Sequence, residues 1–321
     1  MRPAMLLALL LAGGASAQDV LPIAPPAGLD VAPDVRSEVQ QALASRDYPR
    51  AEGILIREIE KSQSPARLLA FLGGVFFLDG KHLNSAVALA KAQKLGPLDD
   101  SNRFLLAMAF NALDRPDWAR PELEELHHKN PGNPTYLYWL GRLDAEAQDF
   151  PEAEKKLRRV IALAPAHSKA WDALGVCLEG MGRNEDAAKT YQEAVRLNRL
   201  EKTASPWPPM NYGVLLLKQD QTGEAEPYLR EAVRIAPGFA QGHYQLGLLL
   251  ERQQQAAGAV ASLEKAASLD AAYADPWWAL ARIHAAAERP AEAEKARAEF
   301  QARKKAAQAK KEAAGQLLPG R

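Results

Sequence analysis

The chain has a single cysteine, Cys177, so no disulfide can form within it. Its stability must therefore come from side-chain packing, and hydrophobic residues make up 47% of the sequence, enough for a sizeable core. Long apolar runs are also missing. The stretch 68–78 has 11 residues, whereas a membrane-spanning helix needs about 20. We expect no integral membrane span.

Residue combinations that carry catalysis or bind metals are equally scarce. The six histidines include no pair four residues apart, and no second cysteine could complete a zinc site. Gly180 and Gly182 follow no predicted strand, so they indicate a turn and not a phosphate-binding loop. Neither a nucleophile elbow nor a kinase signature occurs. The sequence therefore predicts a protein that is not an enzyme and that holds no metal ion or cofactor.

Charge of one sign is not in excess, since 40 Lys and Arg balance 40 Asp and Glu. The balance conceals an asymmetry, because residues 294–321 carry eight basic side chains against three glutamates, a net charge of +5. Without this segment and Arg2, the chain has 31 basic and 37 acidic residues, a net charge of −6. The body offers no basic surface and the tail no interleaved aromatic residues, so we expect no nucleic-acid partner.

The N-terminus has the features of a secretory signal. Arg2 supplies a positive start, 5–12 is a short apolar stretch, and 15–17 reads Ala-Ser-Ala, which fits the small-x-small cleavage pattern. We expect a signal peptide over 1–17, cleaved after Ala17, and a periplasmic or secreted mature protein.

The sequence is rich in one feature, a repeat of 34 residues that is interrupted by one step of 38. Small residues recur in two series, Gly73, Ala107, Gly141, Gly175, Gly213, Gly247, Ala281 and Ala119, Ala153, Ala187, Ala225, Ala259, Ala293. A period of this length is typical of stacked supersecondary units, which often present a long surface to a partner.

Each unit predicts two helices joined by a short turn. In 134–167, leucines three residues apart mark an apolar face of the first helix, Asp149 can cap the second, and Pro165 can end it. Glycine inside a helix costs about 1 kcal/mol relative to alanine. Its recurrence at the eighth position therefore predicts a close approach of the two helices, with large residues at the seventh and twenty-fourth positions filling the remaining space.

In this pattern the sequence resembles the tetratricopeptide-repeat (TPR) family. Trp171, Leu174 and Gly175 match the family's W-x-x-L-G motif, and Ala187 and Tyr191 follow at the family's spacing. The resemblance implies an all-α fold, a right-handed superhelical solenoid of about seven to eight helix-turn-helix repeats with a polar C-terminal capping helix. The predicted repeats are 66–99, 100–133, 134–167, 168–205, 206–239, 240–273 and 274–307.

Three segments depart from the repeat. Residues 18–31 are proline-rich and predict an extended linker, and 32–65 predict an atypical N-terminal repeat. Between 199 and 209, extra residues and prolines predict a longer loop whose prolines begin the next helix. The last helix has no breaker before Gly315, so it is expected to run on into a basic, alanine-rich helix end and tail at 308–321. This extension could cover the exposed face of the last repeat, or it could dock a partner through its charge.

The resemblance also implies a concave groove lined by the first helix of each repeat, with positions two, five and nine facing inward. The candidate ligand-binding residues at these positions are Phe104, Met108, Tyr138, Arg142, Trp207, Met210, Tyr244, Leu248, Trp278 and Arg282. We expect a non-catalytic scaffold that binds a peptide or protein segment there, with aromatic and methionine side chains as anchors and the two arginines as charge readers.

Three alternatives stay open at this point. The same side chains could pack between neighbouring repeats instead of facing a ligand. Tyr138, Tyr244 and Trp278 could stack against sugar rings, which would make the protein a carbohydrate-binding accessory of envelope or exopolysaccharide assembly. The protein could also be a structural spacer without a ligand. No pattern in the sequence indicates an oligomeric state.

Overall fold

The computed structural model describes Leu29 and residues 31–317, with only the helical backbone for 310–317. This described part of the chain forms sixteen α-helices and no strand, so the all-α prediction is confirmed. The predicted signal peptide, its cleavage site and most of the predicted linker lie outside the described residues.

The helices form two compact units that divide between Pro165 and Ala166. The first unit contains α1 (Pro33–Ala44), α2 (Tyr48–Lys61), α3 (Ala66–Leu78), α4 (His82–Leu95), α5 (Asp100–Ala112), α6 (Pro116–Lys129), α7 (Pro134–Glu146) and α8 (Phe150–Leu163). The second contains α9 (Ser168–Gly180), α10 (Asn184–Asn198), α11 (Trp207–Lys218), α12 (Thr222–Ile235), α13 (Ala240–Arg252), α14 (Ala256–Leu269), α15 (Asp275–Ala286) and α16 (Pro290–Leu317). Within each unit, consecutive helices form pairs, and each pair packs against the next. We refer to the two members of a pair as helix A and helix B.

The closest contact inside a pair joins the eighth repeat position on helix A to the twenty-fourth on helix B. A Cβ atom placed on Gly175 would lie 2.6 Å from Cδ1 of Tyr191, a separation that side chains essentially never show. Similar contacts, at 2.6–2.8 Å, join Gly73 to Leu89, Gly213 to Leu229 and Gly247 to Leu263. The predicted close approach is therefore confirmed, and its cause is a large helix B side chain lying directly on the backbone of helix A.

The turn inside each pair has a left-handed residue at one repeat position. The eight residues are Arg46, Gly80, Asp114, Gln148, Gly182, Asp220, Gln254 and Glu288, with φ from 56° to 76°. The next residue donates its N–H back into helix A, as Arg183 does to the Leu178 carbonyl at 2.8 Å. This bond is typical of a Schellman C-cap, which satisfies a carbonyl at the end of helix A.

The interruption of the repeat is a loop of eight residues between α10 and α11. Asn198 ends α10 and is fully buried. Its side-chain amide donates to the Ser205 carbonyl at 2.8 Å, and its Oδ1 accepts from the Ser205 N–H at 2.7 Å. α11 then begins at Trp207, with prolines in its first turn, as predicted. Asn198 thus holds both ends of the loop together.

The first pair is completed by a residue from the predicted linker. Leu29 is 3% exposed and belongs to the core formed with Val39, Leu55 and Phe71. Arg36 holds it in place by donating from Nη2 to the Leu29 carbonyl at 2.9 Å. Within the predicted linker over 18–31, the Leu29 side chain thus packs into the core, and the linker itself stays a prediction.

The last helix is the longest of the described helices. α16 has 28 residues, whereas each of the other helices B has 14 or 15. Gly315, the first helix-breaking residue after the start of α16, does not end the helix. Among residues 290–309 of α16, only Ala293 and Ala296 are buried, and the helix packs against α15.

Replacing Gly175 tests the contact between helices A and B. Gly175→Leu should lower the free energy of unfolding by about 1–3 kcal/mol, because the new side chain overlaps the Tyr191 ring. The thermal transition should also broaden, since each repeat contacts only its neighbours. Gly223→Ala is the control, because no atom lies within 4 Å of its added Cβ. Melting curves followed by circular dichroism compare the two, and an unchanged curve for Gly175→Leu would contradict the assignment.

Replacing Gly182 tests the left-handed cap without a steric effect. An added Cβ at Gly182 meets nothing within 4 Å, so Gly182→Ala should cost about 1 kcal/mol through backbone conformation alone. Gln254→Ala changes a left-handed residue that is already not glycine, and it should leave stability almost unchanged. Urea unfolding of both variants measures the difference. Equal losses would show that the cap conformation is not what matters.

Candidate functional site

The four predicted ligand-binding residues of the first unit lie inside the protein. Phe104 and Met108 on α5 and Tyr138 and Arg142 on α7 are at most 8% exposed. The Phe104 ring packs against Tyr136, with centroids 5.7 Å apart. The expectation that these side chains line an open surface is not met, because packing against neighbouring residues covers them.

Arg142 already has partners within its own helix. Its Nη2 is 3.4 Å from Oε1 of Glu146, and its Cζ is 4.7 Å from the centroid of the Trp139 ring. Burial raises the pKa of the Glu146 carboxyl above its ordinary value, although Arg142 acts to lower it. The guanidinium therefore serves packing inside the first unit and is not presented as a charge reader.

Asp144 is a buried charge that the sequence analysis did not identify. It is 5% exposed and pairs with Arg120 at 2.8 Å and with Lys156 at 2.6 Å. These contacts join α6, α7 and α8. The sequence does contain a sign of this role, because Asp144 stands at a repeat position that is apolar in the neighbouring repeats, where it is Phe110 and Leu178. A buried carboxylate between two cations leaves little charge unpaired, which indicates a structural role.

Two predicted residues of the second unit are also buried. Met210 on α11 is fully buried, and Tyr244 on α13 is 6% exposed. The Tyr244 ring packs against Tyr273 with centroids 5.3 Å apart, and burial raises the pKa of Tyr244 to about 12. Since Tyr138 and Tyr244 are both covered, two of the three proposed sugar-stacking rings present no face to a ligand, and the carbohydrate alternative has no support.

The remaining four predicted residues are accessible. Trp207 is half-buried, with its ring 4.8 Å from that of Phe239, and Leu248 is also half-buried. Trp278 is 52% exposed, and the side chain of Arg282 is 53% exposed. Trp278 and Arg282 are one turn apart on α15, so they share a side of that helix. Of the ten candidates, only these four can meet a partner without repacking.

An ion pair joins α13 to the accessible side of α15. Nε of Arg282 donates to Oε1 of Glu251 at 2.9 Å, and Nη2 pairs with the second carboxylate oxygen. The Glu251 contact is the main reason that the pKa of Arg282 lies above its ordinary value. We call Leu248, Glu251, Trp278 and Arg282 together the α13–α15 face.

Similar polar contacts join the other neighbouring helices A of the second unit. Asn211 donates from Nδ2 to both Asp172 carboxylate oxygens, at 3.0 and 3.1 Å, and Lys218 pairs with Glu179 at 2.5 Å. These contacts join α9 to α11 and help to align the two helices.

Metal-binding clusters and membrane-spanning helices are both missing from the residues that the structure describes. Among them, no group of three His, Cys, Asp or Glu side chains is close enough to hold a metal ion. None of the helices in the described ranges combines the length and apolar character needed to cross a membrane. Cys177 is fully buried on α9, where it packs as a small apolar residue.

Comparison with known proteins finds relatives by family and by fold. Two tetratricopeptide-repeat family models match, one at residues 141–201 and the other at 210–239 and 240–273. No curated protein matches the sequence.

Many solved structures have a similar fold, and three of them illustrate the likeness. A tetratricopeptide repeat protein from Parabacteroides merdae has a TM-score of 0.64 at 15% identity, covering 74% of this chain and 92% of its own. A chain of the Cut9–Hcn1 hetero-tetramer of the APC/C has a TM-score of 0.62 at 16% identity, and the match covers 80% of this chain and 49% of that one. PilW, a type IV pilus biogenesis factor, gives 0.56 at 20% identity, covering 63% of this chain and 92% of its own. At these identities the likeness concerns the fold alone. Together with the consecutive helix pairs, it shows a tetratricopeptide-repeat solenoid fold, and residues 141–201 and 210–273 match the repeats of that family.

Proposed function

We propose that this protein is a non-catalytic scaffold that binds a segment of a partner protein on the helices A of its second unit. The TPR fold supports a protein-interaction scaffold in general, because stacked repeats present an extended surface. One observation carries the more specific proposal. Trp278 is 52% exposed, whereas the side chains at its repeat position in α5, α7, α11 and α13 are at most 8% exposed.

An exposed tryptophan supplies the contact that such binding needs. Tryptophan is enriched among the residues that contribute most to interfaces, because its large ring loses much apolar area to a partner. Leu248 adds a second apolar group on the neighbouring helix. Arg282 is held by Glu251, so an anionic group of the partner would have to compete with that carboxylate. The α13–α15 face is therefore proposed to anchor its partner by apolar contact, with the ion pair as a polar border.

Site-specific cross-linking tests where the partner binds. A photo-reactive residue at Leu248 or Trp278, introduced into the full chain in its native cells, should capture one discrete protein. The matched control is Val87 on α4, which is 46% exposed on a helix B and should capture none. Capture at Val87 but at neither position of the α13–α15 face would place the interaction elsewhere.

Alanine substitution separates binding from folding at the same face. Trp278→Ala should weaken binding of the captured protein by about 1–3 kcal/mol, the range of interface anchors, while changing stability little. Tyr244→Ala is the comparison, because loss of its buried ring should cost about 3–5 kcal/mol of folding stability. Isothermal titration and chemical unfolding give the two quantities. Normal binding by folded Trp278→Ala protein would rule the ring out as an anchor.

We also propose that the protein is exported, on the basis of the N-terminal sequence. The positive start, the short apolar stretch and the Ala-Ser-Ala site are the features that a signal peptidase requires. N-terminal sequencing of protein recovered from the periplasm or the medium should begin at Gln18. Retention of the whole protein in the cytoplasm with Met1 intact would contradict export.

A further inference from the structure

The last helix pair differs from the others of its unit on one side. In α10, α12 and α14, the twenty-seventh repeat position is Ala194, Ala232 or Ala266, and each is fully buried. Each of these helices packs against the helix A that follows it. In α16 the same position is Phe300, and no helix within residues 31–317 packs on that side. A surface that accepts a helix in each preceding pair is thus open in the last one.

An aromatic ridge crosses this open side. The ring centroids of Trp278 on α15 and Phe300 on α16 are 5.5 Å apart, with the planes tilted by 43°. Trp278 is 52% exposed and Phe300 is half-buried. The residues around the ridge on α16 are polar. We define the terminal face as Trp278, Phe300, Arg297, Gln301 and Lys304.

The charge beside the ridge is positive. Nζ of Lys304 lies 5.7 Å from the centroid of the Phe300 ring. In the described part of the chain, no carboxylate lies within ion-pair distance of Lys304 or of its exposed neighbour Lys305. Arg297 pairs with Glu294 at 3.3 Å. Residues 303–311 of α16 include five basic and no acidic residues, of which Arg303 is paired with Glu299.

We propose that the terminal face docks an acidic amphipathic helix of a partner protein. The shape suits a helix, because α11, α13 and α15 lie on the equivalent sides of the preceding pairs. The ridge would receive the apolar side of the partner helix, and glutamates or aspartates on its border would reach Lys304 and the basic run. This surface shares only Trp278 with the α13–α15 face, and the proposal does not depend on binding there.

Charge and composition argue against two other occupants. A second copy of this chain docking through the same face would bring two basic surfaces together, which costs free energy. A membrane would require an apolar side on the helix that lies in it. Residues 301–314 contain no large apolar residue, so this part of α16 offers only alanine to a lipid surface. An acidic amphipathic helix can cover the aromatic ridge with its apolar side and pair with the lysines through its carboxylates.

Selection from a helix library tests the proposal on the full chain. The probe is a displayed library of helices of about four turns, with leucine or alanine at the apolar positions and glutamate or lysine at all others. The expected result is enrichment of glutamate, and the best synthetic peptide should bind more weakly as salt is raised. Failure to enrich any helix, or enrichment of lysine, would overturn the proposal.

Variants of the terminal face then locate the bound peptide. Phe300→Ala and the pair Lys304→Glu and Lys305→Glu should each weaken peptide binding about tenfold or more in fluorescence anisotropy, since each removes one side of the recognition. The matched charge control is Lys91→Glu with Lys94→Glu, two exposed lysines on α4. Leu248→Asp should leave peptide binding unchanged, because Leu248 belongs to the α13–α15 face and not to the terminal face. This variant therefore distinguishes loss of binding at the terminal face from loss of binding at the α13–α15 face. The lysine variants keep the test decisive if Phe300→Ala disturbs the last pair.

The membrane alternative has its own measurement. Co-sedimentation of the full chain with phosphatidylcholine–phosphatidylglycerol vesicles should be weak and unaffected by Phe300→Ala. Strong vesicle binding that Phe300→Ala and the lysine variants abolish, without selection of any helix, would assign the terminal face to lipid. Peptide binding that is equal in all variants would show that the peptide sits elsewhere and would equally refute the proposal.

Discussion

The contact between the eighth residue of helix A and the twenty-fourth of helix B is the constraint on which the rest of this structure depends. In five of the pairs a leucine or tyrosine lies directly on a glycine backbone, so the two helices approach closely and pack as one layer. The Schellman caps close the same pairs at the turn. With the pairs set in this way, most side chains at positions five and nine of the interior pairs are buried, while Leu248 is half-buried.

This packing explains where a partner can bind. In the interior pairs, rings such as Phe104 and Tyr244 are placed on the side that another helix covers, and they contribute to stability. Trp278 has the same repeat position but is exposed, because no described helix covers it. Among the described residues, Trp278 is the large aromatic side chain classed as exposed, and it belongs to both proposed binding surfaces.

Several charged residues form ion pairs between helices, and this contribution to helix alignment is their main role in the structure. Asp144 joins three helices of the first unit, and Glu251 with Arg282 joins two helices A of the second. Asp144 loses its hydration on burial and regains much of that free energy only in good geometry, so its ion pairs favour one arrangement of the three helices over others. Lys304 and Lys305 differ, since they are exposed beside an apolar ridge and have no carboxylate nearby among the described residues.

The sequence by itself determined the repeat, the helix pairs, the close approach at Gly175 and the long loop before Trp207. These features are local or periodic, so propensity and spacing are enough to predict them. Only the tertiary structure decided which repeated side chains are buried, because the exposure of Tyr138 or Trp278 depends on whether another helix lies over it. It also decided that Leu29 joins the core and that six residues other than glycine take the left-handed cap conformation. In these cases, contacts from distant residues outweigh the preferences of the residue itself, and a pattern read along the chain does not contain those contacts.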